Sequence, residues 1–185
     1  MSLAANSHQL PTTSIPYLCD KLKSMEHHKP FVQRCIDLSQ ESIDRGDAPF
    51  GSIIVKDGQI IAESLNFAAN RVSDHAEVVA LHMAHEKLGT SDLSGAILYS
   101  NCEPCPMCSF MAREYKVSEV VYALPSPYMG GHSKWNIMED EELEKFPPFF
   151  GAVPNVIGGV LEAEAKAVFN KTPLWMFGSN ARKDS

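Results

Sequence analysis

The sequence predicts an α/β fold, in the form of a three-layer α/β/α sandwich with a mixed central sheet. Two observations lead to this prediction. The Asp57-Gly58 step between two β-rich runs is a strong signal for a two-residue hairpin. Beyond the hairpin, segments of helical periodicity alternate with short apolar runs typical of buried strands. A hairpin followed by α-β-α-β units requires antiparallel and parallel pairs in one sheet, with helices on its faces.

The individual elements are predicted from periodicity and from the residues that start or stop them. The first helix is expected from Pro30 to Asp44, where apolar residues recur at helical spacing before Gly46. The other expected elements are strands over 51–55 and 59–62, a helix from 75 toward 89, a strand over 96–99, a helix from 105, a strand over 119–123 and a helix over 162–170.

The composition agrees with one domain. The chain has 185 residues, 44% of them hydrophobic, which is enough for a full core. We expect an N-terminal extension over residues 1–29 and a single domain over residues 30–185. No apolar run reaches the roughly 18 residues of a membrane span, and the N-terminus lacks the pattern of a secretory signal. Five cysteines, three of them clustered, favour metal binding in a reducing, cytoplasmic compartment over a disulfide framework.

Two short motifs carry the chemistry, His75-Ala76-Glu77 and Pro104-Cys105-Pro106-Met107-Cys108. His75, Cys105 and Cys108 offer one imidazole and two thiolates, and three such ligands leave the fourth position of a tetrahedral zinc ion open for water. We therefore expect one Zn²⁺ per chain. Pro106 suits the first turn of a helix, so both motifs are predicted at helix starts. Glu77 is then the expected base for the water.

Each of these residues also has a simpler structural explanation. Ser73 or Asp74 can cap the predicted helix, and Glu77 then stands where a capping box places a carboxylate. The clustered cysteines also fit a redox pair with a spare thiol, an iron–sulfur site, or a structural zinc site whose fourth position is filled by Cys102. The conjunction of H-x-E and P-C-x-x-C at two helix starts favours zinc deaminase chemistry, in which the glutamate is not a ligand.

At this level of detail the chain resembles the cytidine deaminase-like superfamily, and within it the branch of guanine deaminases and tRNA adenosine deaminases. The matching segments run in the family's order and are Asp47–Val55, Asn66, Asp74–Glu77 and Tyr99–Cys108. The resemblance implies the same sandwich fold and a homodimer. It also implies that Asn66 hydrogen-bonds the base and that Phe50 lines or stacks on the ring. A turn-forming asparagine and a core aromatic are the simpler alternatives.

The reaction predicted from these residues is hydrolytic deamination of an amino-substituted nucleobase or nucleoside. Guanine is the first choice, because the Cys102–Cys108 run looks most like guanine deaminases. Editing of tRNA adenosine is the alternative, but 16 Lys and Arg against 23 Asp and Glu, a net charge of −7, disfavour an RNA substrate. A third alternative is a non-catalytic, zinc-stabilised interaction module. Glu77 argues against it, since a structural site has no use for a base.

The last third of the sequence departs from the guanine deaminase pattern. Those enzymes carry an aspartate shortly after the strand that follows the cysteine helix, whereas residues 122–128 hold no acid. We expect residues 129–135 to determine specificity instead. The acidic run at 139–142 is predicted to be a solvated helix start. Trp135 and Trp175 are candidate pocket walls, although core packing is the favoured prediction for both.

Overall fold

The computed structural model describes the backbone of residues 15–173 and the side chains of residues 25–173. The helices, strands and short 3₁₀ helices (η) follow in the order α1 (Ile15–Asp44), β1 (Gly51–Lys56), β2 (Gln59–Leu65), α2 (Ala76–Leu88), β3 (Ile97–Cys102), α3 (Pro106–Glu114), β4 (Glu119–Leu124), η1 (Ile137–Glu139), η2 (Glu141–Lys145), β5 (Asn155–Gly158) and α4 (Glu162–Phe169).

The five strands form one mixed sheet in the order β2-β1-β3-β4-β5. Strand β1 is antiparallel to both of its neighbours, β2 and β3. Strands β3, β4 and β5 are parallel to one another, and α3 connects the first parallel pair as a crossover helix. The predicted combination of a hairpin with α-β units is therefore confirmed.

The hairpin turn has the backbone that its sequence predicts. Lys56 pairs with Gln59, which leaves Asp57 and Gly58 as the two loop residues. Their φ angles are 52° and 73°, as a type I′ turn requires at both central positions. Such a turn matches the twist of the two strands and so fixes which residues of β1 and β2 pair.

Alternating side chains of the central strands supply two separate hydrophobic cores. Ile53, Tyr99 and Val121 face the layer of α1 and α4. Ile54, Leu98 and Val120 face the layer of α2 and α3. Neighbouring residues on one strand point to opposite faces of the sheet, and helices cover both faces. Each central strand is therefore buried on both sides. The three-layer α/β/α sandwich is confirmed.

Several element boundaries differ from the prediction. Helix α1 begins at Ile15 and contains Pro30, which had been predicted to start it. Strand β5 was not predicted, because its Asn155–Gly158 stretch is short and lacks an apolar run. The acidic run does start a short 3₁₀ helix, with the Asp140 side chain accepting a hydrogen bond from Glu142 N. In the described residues, no helix has both the length and the apolarity to cross a membrane.

The two tryptophans have different outcomes. Trp135 was predicted to pack in the core, but its side chain is 57% exposed and lies near Lys134, with Nζ 5.9 Å from the ring centroid. Residues 131–135 form turns and residues 133–136 are exposed, so no core surrounds the indole. Trp175 lies outside the described residues.

Candidate active site

The starts of α2 and α3 carry the predicted metal ligands. His75 and Cys105 are the N-cap residues of these helices, with extended backbone at ψ 148° and 171°, and Pro106 occupies the first turn of α3. The predicted cap by Ser73 or Asp74 is wrong, because the extended backbone of His75 starts the helix one residue later. Asp74 Oδ1 instead accepts a hydrogen bond from Arg71 Nε at 2.8 Å.

The three predicted ligand atoms come together in one group. His75 Nδ1 lies 3.5 Å from Cys105 Sγ and 3.4 Å from Cys108 Sγ, and the two sulfurs are 3.5 Å apart. Tetrahedral zinc, with bonds of about 2.0 Å to nitrogen and about 2.3 Å to sulfur, places ligand atoms about 3.5–3.8 Å apart. The imidazole and two thiols therefore fit a zinc ion with little movement.

The two thiols of the group differ in acidity. The hydrogen bond between the two thiols lowers the pKa of Cys105 to about 4. The same hydrogen bond, together with burial, raises the pKa of the Cys108 thiol well above its usual value. Cys105 is thus ready as a thiolate, which is the form that binds zinc.

Glu77 lies beside the metal group and not among its ligands. The group of mutually close ligand atoms in the described residues contains His75, Cys105 and Cys108. Glu77 is only 3% exposed, and its Oε2 accepts a hydrogen bond from Cys108 Sγ at 3.5 Å. Its Oε1 accepts a hydrogen bond from Ser100 Oγ at 3.2 Å. Burial raises the pKa of Glu77, which suits a carboxyl group that must gain and lose a proton near neutral pH.

Cys102 takes no part in the described metal group. It is 1% exposed and packs in the hydrophobic cluster between the sheet and α1, together with Cys35. Burial raises the pKa of the Cys102 thiol well above its usual value. Cys102 therefore does not fill the fourth position of a structural zinc site in the described structure.

The two predicted substrate-binding residues lie on neighbouring segments. Asn66 is 1% exposed, and its main-chain N–H donates to Phe50 O at 3.1 Å. Phe67 N donates to Asp74 O at 2.9 Å, which ties the residue after Asn66 to the residue before His75. Phe50 is half-buried and packs edge-on against Phe169, with ring centroids 5.6 Å apart. Asn66 is therefore close to the metal group, and Phe50 makes the core contact that was its simpler alternative.

Three buried polar residues at the end of β3, Ser100, Asn101 and Glu103, have roles that the sequence did not predict. Ser100 contacts Glu77, as described above. Asn101 Nδ2 donates to Pro49 O at 2.9 Å, and its Oδ1 accepts from Gly51 N at 2.9 Å. Asn101 therefore holds the backbone on both sides of Phe50. Polar residues inside an otherwise apolar strand were the signal available in the sequence.

Glu103 holds the loop after β4. Its carboxylate accepts hydrogen bonds from the main-chain N–H groups of Ser126 at 2.7 Å, His132 at 3.1 Å and Ser133 at 2.6 Å. The Ser133 hydroxyl donates to the same carboxylate at 2.8 Å. A Cβ on Gly130 would lie 2.0 Å from Glu103 Oε1, so a side chain there would displace the carboxylate from its hydrogen bonds. The loop that contains the predicted specificity segment is thus fixed to the residue just before Pro104.

Comparison with known proteins identifies the family. Residues 25–124 match the model of the cytidine and deoxycytidylate deaminase zinc-binding region. The guanine deaminase of Bacillus subtilis is 46% identical over 85 residues, 44% of this chain and 54% of that protein. The chain thus spans about half the length of this relative. The tRNA-specific adenosine deaminase of the same organism is 31% identical over 143 residues, 76% of this chain and 84% of that protein.

A solved structure supports the same assignment. It comes from a study of A-to-I editing by tRNA:A34 deaminases at the wobble position, and it superposes with a TM-score of 0.65 at 30% identity. The match covers 75% of this chain and 97% of that structure. The family match contains both motifs that supply His75, Cys105 and Cys108. The chain therefore belongs to the cytidine and deoxycytidylate deaminase family, whose members are zinc-dependent hydrolases, and zinc is its cofactor.

Proposed function

We propose that this protein hydrolytically deaminates an amino-substituted nucleobase or nucleoside, with guanine as the first candidate. The observation that carries the proposal is the buried Glu77 carboxyl group, in contact with Cys108 at the edge of the His-Cys-Cys group. A site that only stabilised the fold would have no use for this carboxyl group, since burying it without a cation is unfavourable.

The reaction adds water to the ring carbon that bears the exocyclic amine and then expels that amine. In the proposed mechanism Glu77 accepts a proton from the attacking water and delivers it to the adjacent ring nitrogen. It then accepts the proton of the added hydroxyl group, which becomes the keto oxygen, and passes this proton to the departing amine. Water and the amino heterocycle are converted into the keto heterocycle and ammonia, so atoms and charges balance. Glu77 returns to its starting protonation state at the end of each cycle.

The neighbouring residues position this proton carrier and the metal. Ser100 donates to Glu77 Oε1, which leaves Oε2 directed toward the metal group. His75, Cys105 and Cys108 would hold the zinc ion, whose bound form supplies the Lewis acidity that activates water. We further propose that Asn66 hydrogen-bonds the heterocycle and that Phe50 lines the ring.

Two observations support guanine as the first substrate to test. The guanine deaminase of B. subtilis has the higher identity of the two relatives described, 46%. The chain also carries a net charge of −7, which opposes binding to a polyanion. A small base needs no compensation of phosphate charge.

Editing of tRNA adenosine is the second candidate, and it has its own support. The tRNA-specific adenosine deaminase matches a larger part of this chain, 76%, than the guanine deaminase does. In addition, residues 122–128 lack the acid that guanine deaminases carry after the corresponding strand. An RNA substrate would need local basic contacts, and its binding would weaken steeply with salt.

The direct test of the proposal is Glu77→Gln in the zinc-loaded protein. We expect the variant to bind zinc with the same stoichiometry and to lose about 10²–10⁴-fold in turnover, because the amide can no longer transfer protons. Ammonia release and zinc content are the two measurements. Glu86→Gln is the matched control, since Glu86 is exposed on the same helix. Unchanged turnover in Glu77→Gln would remove Glu77 from the mechanism.

A comparison of two substrates separates the two candidates. Guanine and an anticodon stem-loop carrying the wobble adenosine are offered separately to the same preparation, and ammonia or inosine is measured. Turnover of guanine with no inosine supports the first candidate. Inosine formation that falls sharply as salt is raised supports the second.

We also propose that the protein is a homodimer, as the family resemblance implies. Helix α3, which carries Cys108, exposes two apolar side chains, Met107 and Phe110, and the Phe110 ring packs edge-on against Phe150 at 5.0 Å. Sedimentation velocity tests this assignment, and Phe110→Ser is expected to weaken association. A sedimenting monomer at micromolar concentration would contradict it.

A reducing, cytoplasmic location is proposed from the state of the thiols. Cys105 and Cys108 are free, and their sulfurs lie 3.5 Å apart, so oxidation would join them and remove two zinc ligands. Fractionation of cells that express the protein at native level tests this assignment.

A further inference from the structure

Asp47 contacts Asn66, the residue proposed to bind the heterocycle. Asp47 Oδ1 accepts a hydrogen bond from Asn66 Nδ2 at 2.8 Å and one from Ala48 N at 2.7 Å. Asp47 Oδ2 accepts one from Ala69 N at 3.0 Å. Burial alone would raise the pKa of Asp47, but these three hydrogen bonds outweigh burial and lower it. Asp47 is therefore a carboxylate, and it can only accept hydrogen bonds.

This carboxylate dictates how the Asn66 amide is oriented. If the amide were flipped, two oxygens would face each other across 2.8 Å, so the NH₂ group must point to Asp47. Asn66 Oδ1 then points away from Asp47. In the described part of the chain it is one of the few buried polar atoms without a hydrogen-bond partner. An unpaired buried acceptor costs about 1–3 kcal/mol, which a donor on a ligand can recover.

Both residues are close to the metal group. The segment after Asn66 is tied to the residue before His75 by the hydrogen bond from Phe67 N to Asp74 O. Asp47 lies beside the same segment, because its Oδ1 is 2.8 Å from Asn66 Nδ2. An unpaired acceptor at this place is available to the substrate of the same site.

We propose that Asp47 is a positioning residue that fixes Asn66 with its side-chain oxygen toward the substrate, so that the site selects heterocycles presenting an N–H donor there. The inference rests on the proposed deaminase function and extends it to specificity. A ring with an unsubstituted N–H pairs with Asn66 Oδ1. A ring whose nitrogen at that place is methylated leaves the oxygen unpaired and is rejected.

The test compares guanine with 1-methylguanine, 7-methylguanine and 9-methylguanine in the zinc-loaded full chain. The wild type is expected to reject at least one methylated base by about 100-fold or more in kcat/KM. Asp47→Asn is expected to raise the KM for guanine about 10-fold, with kcat changed less than about threefold, because it alters binding and not proton transfer. The ratio of kcat/KM between guanine and the methylated base should fall about 10-fold, since the Asn66 side-chain amide is then free to rotate by about 180°.

A double variant separates positioning from a general structural role. Combining Asp47→Asn with Asn66→Asp exchanges the amide and the carboxylate, so that the pair keeps its hydrogen bond and an oxygen still faces the ring, while Ala48 N loses its acceptor at position 47. We expect the double variant to regain most of the discrimination against the methylated base. Asp37→Asn is the matched control, because it removes the same charge from an exposed residue whose described side-chain contact is with Gln33.

The outcomes distinguish this inference from the proposed function. Wild-type turnover of guanine, with unchanged KM and discrimination in a zinc-loaded Asp47→Asn variant, overturns the inference alone. A wild type that does not deaminate guanine overturns guanine as the first candidate substrate and this inference with it. If Asp47→Asn does not fold, as judged by thermal melting, the double variant decides, and loss of discrimination in it overturns the inference.

Discussion

Glu77 combines burial with closeness to the metal group, and this combination explains its proposed role. The carboxyl group is almost inaccessible to water, so its charged form is disfavoured and its pKa is raised. Its hydrogen-bond partners in the described chain are uncharged donors, Ser100 Oγ and Cys108 Sγ. A buried carboxyl group with a raised pKa beside a metal group is expected to exchange its proton with a substrate.

Comparison of two cysteine variants tests the assignment of ligands. Cys105→Ser is expected to lose zinc and turnover together, because a hydroxyl is a poor ligand for zinc compared with a thiolate. Cys102→Ser is expected to keep one zinc per chain and most of its turnover. Its unfolding free energy should fall by about 1–3 kcal/mol, since a hydroxyl is buried in an apolar cluster. Loss of zinc from Cys102→Ser, measured by metal analysis, would contradict the ligand set.

Strand β3 is the element that organises the site. Ser100 contacts Glu77, Asn101 holds the Pro49–Gly51 backbone, and Glu103 holds the loop after β4. The strand then leads into α3, whose first turn carries two metal ligands. A few consecutive residues thus connect the proton carrier, the metal group and two surrounding segments.

Replacing Glu103 tests the role of its hydrogen bonds. Glu103→Gln is expected to lower the unfolding free energy by about 1–3 kcal/mol, because an amide turns an NH₂ group toward donors that are already buried. Urea denaturation measures this change, and limited proteolysis should cut the 126–133 loop faster. Glu114→Gln, at an exposed position on α3, is the control. Equal stability of the two variants would contradict the anchoring role.

His28 on α1, which lies outside the active site, is expected to make the stability of the fold depend on pH. Burial lowers the pKa of His28, and its Nδ1 is 2.9 Å from Tyr99 Oη. Glu119, 3.8 Å from Nε2, partly opposes this shift, and His27 adds to it. The unfolded chain takes up a proton at about pH 6.5, whereas the folded chain does so at lower pH. Stability is therefore complete above about pH 6.5 and decreases as the pH falls below it.

Substitution of His28 checks this assignment. His28→Gln is expected to flatten the decrease in unfolding free energy between about pH 7 and pH 5, as measured by urea denaturation at several pH values. His82→Gln, at an exposed position on α2, serves as the control. An unchanged slope in His28→Gln would assign the pH dependence to other groups.

The sequence predicted those elements whose turns and ends are set by neighbouring residues. The Asp57-Gly58 turn and the end of α2 at Gly89, with φ 67°, depend only on neighbouring residues. Strand β5 lacks such a signal, because its place is set by pairing with β4. The start of α1 was missed because Pro30 was treated as a helix start, although the helix continues through it.

The same distinction applies to the site. His75, Glu77, Cys105 and Cys108 were predicted because their residue types and spacing carry the chemistry. Asp47 and Glu103 act through hydrogen bonds to residues about 20 to 30 positions away, at Asn66 and in the 126–133 loop. Such pairings depend on the tertiary structure, so the sequence alone did not give these residues a role.

At the scale of the whole molecule, the metal group joins two helices of the same layer. His75 starts α2 and Cys105 starts α3, and both helices pack on one face of the sheet. A ligand bound only by the folded protein adds its binding free energy to stability, about 2.7 kcal/mol at a free concentration 100 times its Kd. Removing zinc is therefore expected to loosen this layer.

Chelation tests this coupling. Incubation with a strong chelator is expected to lower the melting temperature by several degrees and to abolish turnover, and stoichiometric zinc should restore both. Cys105→Ser is the control, because its melting temperature should not respond to the chelator. Equal melting temperatures with and without zinc in the wild type would show that the metal does not link α2 to α3.

The central claim is that the protein deaminates an amino heterocycle, with Glu77, beside the His-Cys-Cys group, transferring the protons. The most direct test is ammonia release by the zinc-loaded protein from guanine, guanosine, cytosine, cytidine, adenine and adenosine, with Glu77→Gln as the blank. The account predicts turnover of one of these substrates, guanine first, that disappears in Glu77→Gln while zinc is retained. Ammonia release that is equal in the two proteins, or absent both for every substrate of this panel and for the anticodon stem-loop, would contradict it.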